Sequence, residues 1–359
     1  MTRAERLAQA LEERRADVFI SANRPNQLYF LNHPEPSSVI SRPNCRAMVF
    51  GRDETVVFPG VWISNACRDL LTECTVIENV LGDPSPEEQL CAYLQQAKFG
   101  KVIVDQQSLA DALVGRIGAS EVCFEDIGTQ LRRTKDARDL EGMREAARIA
   151  DLGMTAAFAA IRPGLSCLDV IAEGEYAMLK AGAEDAQMAP AVGEGTFYLD
   201  SAENPRRIIR EGDMIFIDMA IHVRGYLGDM TRAGIVGEGT SAQRELLETV
   251  QRAYRTGAGA MRPGADGRQI YRQVVECFAE RDWASYYVHH LSHGLGLGGD
   301  VPRIGRDAAD VLQVGDALSC EPGAYIPGIG GARVENMIYV GAEGPEELTK
   351  CPLDLPMDL

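Results

Sequence analysis

Two acidic side chains lie within a stretch that reads as a pair of apolar strands, residues 214–233 (MIFIDMAIHVRGYLGDMTRA). Asp218 interrupts the first apolar run and Asp229 the second, with a short turn predicted around Arg224. A buried carboxylate is costly unless it is paired, and two carboxylates at close range repel each other unless a cation or a shared proton lies between them. If the strands pair as a hairpin, the two acids should face each other. The pattern therefore indicates either a cation site or two structural acids, one capping a turn and one paired with Arg224 or Arg232.

Three further residues of ligand type follow in the C-terminal part of the chain. Glu321, in CEPGAY, is predicted at the tip of a strand that Pro322 ends. Glu335, in ARVENMIYV, is predicted on a strand whose alternation sets it opposite Glu321. His293, in HHLSHGLGLGG, lies among glycines that let the backbone come close to a site.

Together these residues form a ligand set of four carboxylates and one imidazole: Asp218, Asp229, His293, Glu321 and Glu335. Hard oxygen ligands with a single nitrogen suit divalent manganese, iron, cobalt or zinc. Four negative charges match two such ions, and two ions bridged by carboxylates can hold a hydroxide between them. Taken singly, each acid is more typical of a solvated strand edge, and His293 of a core or surface histidine. Their joint spacing favours a metal centre.

The chain also repeats itself, which ties the ligand set to a duplicated fold. Arg162-Pro163-Gly164 recurs as Arg262-Pro263-Gly264, each time between two amphipathic helices. The segment 212–218 (GDMIFID) recurs as 315–321 (GDALSCE), with an acid at the same place in each copy. Two matches in register predict a duplicated helix–helix–strand unit about a pseudo-twofold axis, with the two acids facing each other across it.

The elements that must position these residues divide into two predicted domains, with the charged stretch 131–139 as the boundary. Residues 1–132 alternate short strands with helices, a pattern typical of a small α/β domain. The elements predicted there are strands 17–21, 47–50, 55–58, 101–105 and 122–125, and helices 23–32, 86–96 and 108–118. Residues 133–359 begin with helices 141–161 and 167–180 and form a second domain, of α+β class, that contains the repeat.

Composition narrows the possible partners. A formal net charge of −17 over 359 residues argues against nucleic acid or an anionic membrane as a partner. The nine cysteines are scattered without a CxxC pair, so they read as reduced thiols of a cytosolic protein. The N-terminal residues predict a charged amphipathic helix and not a signal peptide, and no apolar run has the length of a membrane span. The expectation is a cytoplasmic globular protein.

The chain resembles the pita-bread metallohydrolases, a superfamily that includes aminopeptidase P, prolidase, methionine aminopeptidase and the metal-free relative creatinase. The resemblance runs from about residue 130 to the end, and the segments that carry it are IDMAIHVRGYLGDMTR, HHLSHGLGL, CEPGAY and GARVEN. The segment ISANRPNQLYFL more weakly resembles the small domain that precedes the catalytic domain in prolidase, aminopeptidase P and creatinase. The resemblance implies a pita-bread catalytic domain preceded by a creatinase-type N-terminal domain, and a homodimer.

The same resemblance implies roles for the ligand set. All five residues become ligands of two divalent ions, which are manganese, cobalt, iron or zinc. A metal-bridging hydroxide would act as the nucleophile on the substrate carbonyl, with Glu321 as the general base. His289, four residues before His293, matches a family histidine that lines the site.

The chain departs from the family at two substrate-binding positions. Prolidase-like members carry a histidine, as a proton shuttle, where this chain has Ser201, and a second substrate-binding histidine where it has Asp300. Asp300 is therefore predicted to bind a cationic group or to act as a base, with His289 and Glu321 as the other catalytic residues. The predicted substrate contacts are Tyr198, Arg303 and Arg333.

Three classes of function remain open from the sequence. The first is a dinuclear metallohydrolase of peptide-like C–N bonds, similar to an Xaa-Pro dipeptidase or aminopeptidase and acting on a small peptide. The second is a non-peptidase of the same fold that acts on a small metabolite, as creatinase, ectoine hydrolase or a dimethylsulfoniopropionate lyase does. The third, a binding protein, is disfavoured by the intact ligand set, because buried carboxylates without metal destabilise a fold.

Overall fold

The structure is a computed structural model that describes residues 1–31, 33, 37, 45–52, 54–198 and 206–355, with the side chain of residue 198 left out. The chain divides into two compact units, Met1–Arg132 and Arg133–Leu359. Within the described ranges, no helix is both long enough and apolar enough to cross a membrane.

The first unit is built on one mixed sheet. Its strands are β1 (Val18–Ser21), β2 (Cys45–Phe50), β3 (Thr55–Pro59), β4 (Thr75–Val76), β5 (Lys101–Val104) and β6 (Glu121–Phe124). Its helices are α1 (Arg3–Glu13), α2 (Arg24–Phe30), α3 (Ser64–Leu70), α4 (Pro86–Ala97), α5 (Gln107–Leu113) and α6 (Ile127–Arg132). The described strands pair in the order β4-β3-β2-β1-β5-β6. All four residues of β1 are buried, as expected for a central strand covered on both faces.

Most of the predicted elements of this unit are present, with shifts at their ends. Helix α5 ends at Leu113 and not at residue 118, because the chain turns at Gly115, whose φ is +72°. Helix α3 and strand β4 were not predicted, since elements of seven and two residues carry too little periodicity to read.

The second unit contains two pairs of packed helices. Its helices are α7 (Ala137–Ala160), α8 (Cys167–Lys180), α9 (Glu194–Tyr198), α10 (Ser241–Ala260) and α11 (Gly267–Ala279). Helix α7 begins four residues earlier than predicted, because Asp136 caps it in a reciprocal capping box with Asp139. The pairs α7–α8 and α10–α11 pack closely through their buried faces.

The strands of the second unit form three described sheets. The strands are β7 (Asp185–Val192), β8 (Met214–Val223), β9 (Tyr226–Ile235), β10 (Ser292–Gly294), β11 (Asp300–Ile304), β12 (Ala317–Cys320), β13 (Gly323–Ile326), β14 (Gly330–Arg333), β15 (Asn336–Gly341) and β16 (Gly344–Glu347). They pair in the orders β7-β8-β9, β11-β10-β12-β15-β16 and β13-β14. A core of buried side chains from α10, α11 and these sheets fills the unit; Phe216, Tyr254 and Ile338 belong to it.

The predicted duplication is visible in the backbone hydrogen bonds. After α7, Gly164 donates to the carbonyl of Ile209 (2.8 Å), and after α10, Gly264 donates to the carbonyl of Leu312 (2.7 Å). Both glycines have positive φ, +93° and +83°, which explains the repeated Arg-Pro-Gly turn. The strand entries repeat as well. Gly212 donates to the carbonyl of Val236 (2.7 Å), seven residues after Asp229, and Gly315 donates to the carbonyl of Val340 (2.9 Å), five residues after Glu335.

Candidate metal centre

The hairpin of β8 and β9 carries the first two acids of the ligand set. Its two-residue turn has positive φ at both Arg224 (+52°) and Gly225 (+81°), the geometry that suits a tight hairpin. In the ladder, Asp218 pairs with Thr231, whereas Asp229 pairs with Ala220, two residues after Asp218. The expectation that the two acids face each other directly is therefore wrong: they are diagonal neighbours, on one face of the hairpin.

Thr231 connects the hairpin to Glu335. Its hydroxyl oxygen lies 3.1 Å from Asp218 Oδ1 and 2.8 Å from Glu335 Oε2, and its carbonyl accepts a hydrogen bond from the Glu335 amide. Glu335 is not inside a strand as predicted but lies at the break between β14 and β15. The ladders on either side of this break continue one register, which sets Glu321 opposite Glu335, as the sequence predicted.

His293 stands between the remaining acids. Its Nε2 lies 3.4 Å from Asp229 Oδ2 and 3.4 Å from Glu321 Oε1, while its Nδ1 lies 3.3 Å from the Gly294 carbonyl. Burial alone would lower the pKa of His293, but the hydrogen bond to Asp229 and the charges of Asp229 and Glu321 raise it to about 9. The positive charge of the protonated imidazole therefore offsets part of the negative charge of Asp229 and Glu321.

Glu335 is the least exposed of the four acids. This side chain is 2% exposed, and its Oε1 has no hydrogen-bond partner in the described part of the chain. Burial, together with the charges of Asp229, Glu321 and Asp218, raises the pKa of Glu335 well above its ordinary value. Burial also raises the pKa of Asp229. Because an orphaned carboxylate oxygen among other carboxylates is costly, the residues present fit a divalent cation.

Two groups of side chains offer ligand atoms close enough to share an ion. In one group, Asp229, His293 and Glu335 each present an atom within 4.8 Å of the others, and in the second His290, His293 and Glu321 do so. The structure thus brings four residues of the ligand set together, and Asp218 joins them through Thr231. His290 was not singled out from the sequence, although the double histidine at 289–290 was a signal for it.

Arg333 holds Asp218. Its guanidinium donates to Asp218 Oδ2 (2.6 Å), to the Thr231 hydroxyl (3.2 Å) and to the Tyr325 hydroxyl (3.0 Å), and it lies 5.1 Å from the centre of the Phe216 ring. The alternative that Asp218 or Asp229 pairs with Arg224 or Arg232 finds no support in these contacts. Arg224 lies beside Glu141 instead, 3.5 Å away.

A hydrogen-bonded chain continues from Arg333 to His289. The nitrogens of His289 lie 2.7 Å from the carbonyl of His290 and 3.0 Å from the Tyr325 hydroxyl. Burial lowers the pKa of His289 and raises the pKa of Tyr325 to about 12, so the imidazole and the phenol are neutral at pH 7. The neutral imidazole then donates from Nδ1 to the carbonyl and accepts at Nε2 from the Tyr325 hydroxyl.

A pocket of about 500 Å³ opens beside these histidines. Its lining includes His289, His290, His293, Arg303 and Arg306. Arg303 therefore borders this pocket, and its role as a substrate contact stays a prediction. The side chain of Tyr198, another predicted contact, is outside the described residues. Ser201, which stands where prolidase-like members carry a histidine, is outside them as well.

Asp300 lies in a buried ion pair. Its Oδ2 is 3.2 Å from the ammonium nitrogen of Lys135, and both side chains are 1% exposed. The pair ties the start of β11, which pairs with Gly294 next to His293, to the segment that precedes α7. If the Asp300 carboxylate bound a cationic substrate or took a proton, the buried Lys135 ammonium group would lose the negative charge that offsets it, which is costly.

We expect Asp300→Asn to lower the free energy of unfolding by about 3 kcal/mol, because the substitution leaves the Lys135 ammonium buried without its carboxylate partner. Urea unfolding of the chelated protein measures this loss. Asp307→Asn, at an exposed position, is the control and should change stability little. The double variant Lys135→Met with Asp300→Leu should recover most of the loss. A stable Asp300→Asn protein with normal metal content and no turnover would instead support a catalytic Asp300.

Comparison with known proteins places this geometry in context. Residues 141–342 match the model of metallopeptidase family M24. The putative dipeptidase YkvY of Bacillus subtilis is 31% identical over 243 residues, which are 66% of each chain. The Xaa-Pro dipeptidase of Pyrococcus furiosus is 32% identical over 235 residues, 65% of this chain and 67% of the relative. The matched segments thus span about two thirds of the length of these relatives.

Solved structures are similar over nearly the whole chain. The Xaa-Pro dipeptidase from Bacillus anthracis superposes with a TM-score of 0.85 at 24% identity, covering 98% of both chains. At this level of identity the likeness concerns the fold. It confirms the predicted fold class, an α+β pita-bread domain with an N-terminal domain before it.

Proposed function

Because the chain belongs to metallopeptidase family M24, we propose that it is a dinuclear metal-dependent hydrolase that cleaves small Xaa-Pro peptides. The family assignment makes the protein a hydrolase that uses divalent metal. The proposal adds the number of ions, the ligands and the substrate class. It extends to this chain the activity named for its relatives from Pyrococcus furiosus and Bacillus anthracis.

The observation that carries the proposal is the buried Glu335 oxygen without a hydrogen-bond partner among the described residues. It lies in a cluster of acids around His293, and His293 lines a pocket of about 500 Å³. The residues that would hold the ions are the ligand set, Asp218, Asp229, His293, Glu321 and Glu335. When bound, divalent ions there supply Lewis-acid activation of a carbonyl group and of water. Manganese, cobalt, iron and zinc all suit these ligands.

Glu321 is proposed as the general base. Its Oε1 lies 3.0 Å from the hydroxyl of Ser319 and 3.0 Å from Nε2 of His290. Burial acts to raise the pKa of Glu321, but the hydrogen bond from His290 and the charge of His293 outweigh it and hold that pKa below its ordinary value. Glu321 is therefore ionised at neutral pH and can take a proton from an attacking water.

His289 and Arg333 are proposed to act through one hydrogen-bonded chain. Arg333 fixes both Asp218 and the Tyr325 hydroxyl, and Tyr325 fixes His289 at the edge of the pocket. A neutral imidazole held in this way can present its ring to the substrate or pass a proton toward the leaving nitrogen. Arg303, also on the pocket wall, suits the carboxylate of a short peptide.

Hydrolysis or lysis of a small metabolite is the second candidate, favoured by Asp300 at a position where prolidase-like members carry a histidine. The ion pair with Lys135 speaks against Asp300 as the base of a lyase. This candidate therefore depends on the residues that line the pocket, which do not include Asp300. We propose a homodimer on the resemblance, and a cytoplasmic location on the scattered cysteines.

The test is product analysis by mass spectrometry after chelation and reloading with manganese, cobalt, iron or zinc. Xaa-Pro dipeptides, Xaa-Pro-Xaa tripeptides and small zwitterionic metabolites would be offered together. We expect release of proline or of an N-terminal residue, with at least about a hundredfold loss of rate in Asp229→Asn, which removes a ligand charge. Peptides left intact by every metal-loaded form, with consumption of a metabolite, would move the protein to the second candidate.

A further inference from the structure

We propose that His290 is a ligand of the metal centre, so that His290, His293 and Glu321 form a site for a borderline divalent cation such as zinc or cobalt. The inference rests on the proposed metal centre and adds a second imidazole to its ligand set. Nothing in the five-residue ligand pattern of the sequence required it.

The distances among the three ligand atoms carry the proposal. His290 Nε2 lies 3.0 Å from Glu321 Oε1, and His293 Nε2 lies 3.4 Å from the same oxygen. Ligands bound at about 2.0–2.1 Å in a tetrahedral zinc site stand about 3.3 Å apart. One atom from each of the three residues lies within 4.8 Å of the others. The three atoms can therefore converge on one ion with small movements.

Backbone contacts place His290 beside Glu321. The amide of Glu321 donates to the carbonyl of Leu291 (2.9 Å), which lays the segment before β10 alongside the strand tip that carries Glu321. Gly305 leaves room for the His290 side chain, since a Cβ at Gly305 would stand 3.1 Å from the Cβ of His290. The side chain of His290 is 52% exposed and lines the pocket, so water can accept from its Nδ1 while Nε2 turns inward.

The neighbouring His289 differs from His290 as a candidate metal ligand, because neither of its ring nitrogens is available to an ion. Both nitrogens of His289 are engaged, one with the His290 carbonyl and one with the Tyr325 hydroxyl. For the side chain of His290, the only hydrogen bond to a described residue is the one to Glu321, itself a proposed ligand. A cation between Glu321 and His290 would replace that hydrogen bond without leaving either group unsatisfied.

A second imidazole changes which metal the centre prefers. Carboxylate and water ligands suit manganese, whereas imidazole suits zinc, cobalt and copper. The Glu321 side of the centre would then favour a borderline metal, while the Asp229 and Glu335 side keeps a harder oxygen environment. The two positions of a dinuclear centre would differ in affinity and in metal preference.

The experiment is electron paramagnetic resonance of the chelated full-length protein with substoichiometric Cu²⁺, together with zinc affinity by calorimetry. We expect superhyperfine splitting from two imidazole nitrogens in the wild type and from one in His290→Ala, with zinc binding weakened about tenfold or more. His290→Gln keeps an N–H that can reach Glu321 but is a poor ligand, so it should behave like His290→Ala. His222→Ala is the control, because the His222 side chain, near the end of β8, pairs with Asp185 of β7 and with none of the proposed ligands.

Two results would overturn the proposal: a single nitrogen in the wild type, or zinc affinity restored by His290→Gln, which would make His290 only a hydrogen-bond donor to Glu321. Failure of the proposed function looks different. In that case the wild type would bind no divalent metal, or would bind it and cleave none of the Xaa-Pro peptides, whatever residue stands at position 290.

Discussion

Glu335→Gln is expected to stabilise the metal-free protein and to abolish the stability that divalent metal confers. Without metal, Glu335 is buried among other acids with one oxygen unpartnered, and its pKa is raised by burial and by those charges. Glutamine removes the charge and gives Asp229 and Glu321 an amide donor. We expect a gain of about 1–3 kcal/mol at pH 7, the scale of one unsatisfied buried polar group.

The sign of the pH dependence follows from the raised pKa. A carboxyl group whose folded-state pKa is raised contributes stability that is fully present below its unfolded pKa, about 4.5, and is lost as the pH rises through the folded value. Glutamine does not ionise and escapes this loss. The difference between variant and wild type in chelator should therefore be small near about pH 4 and should grow toward neutral pH.

Divalent metal is expected to reverse the order of stability of the wild type and Glu335→Gln. At a free metal concentration about 100 times the dissociation constant, the wild type should gain about 2.7 kcal/mol and the variant much less. Urea unfolding with chelator and with manganese, cobalt or zinc measures both quantities. Glu343→Gln, on the exposed turn between β15 and β16, is the matched control and should respond to metal as the wild type does. A Glu335→Gln protein that keeps the full metal response would exclude Glu335 as a ligand.

The sequence predicted those parts of the site that local pattern controls. The β8–β9 hairpin follows from alternating apolar residues around a turn, and the register of Glu321 with Glu335 follows from strand alternation. The diagonal offset of Asp218 from Asp229 was missed, because the register of a two-residue hairpin depends on where the turn begins, and a shift by one residue changes every pair.

Contacts between residues far apart in the chain could not be predicted from local sequence pattern. Lys135 meets Asp300 across 165 residues, and Arg333 meets Asp218 across 115. No periodicity links such positions, and each pair forms only because the folded chain brings distant segments together. Both pairs affect function. Lys135 holds Asp300, the predicted base, in a buried ion pair, and Arg333 fixes Asp218, a predicted metal ligand. The ligand roles themselves stay predictions until metal binding is measured.

Arg232, in the β9 strand that carries Asp229, joins the ligand-bearing strands to the C-terminal segment. It is 0% exposed, and its guanidinium donates to the carbonyls of Thr231, Glu335, Cys351 and Pro352 and to the Asn336 side chain, at 2.6 to 2.9 Å. Every acceptor but one is a backbone carbonyl. The residue thus satisfies oxygen atoms of β9, of the Glu335 break and of the segment after β16 at once.

Arg232→Met is expected to lower the free energy of unfolding by about 3–5 kcal/mol, because several buried carbonyl oxygens lose their donors together. Arg232→Lys should recover little of this, since one ammonium group cannot reproduce the planar fork of five N–H donors. Chemical unfolding measures the loss, with the exposed Arg255→Met of α10 as control. Because the Glu335 carbonyl is one of the acceptors, metal affinity should fall as well. If Arg232→Lys matched the wild type, charge rather than hydrogen-bond geometry would be what this position supplies.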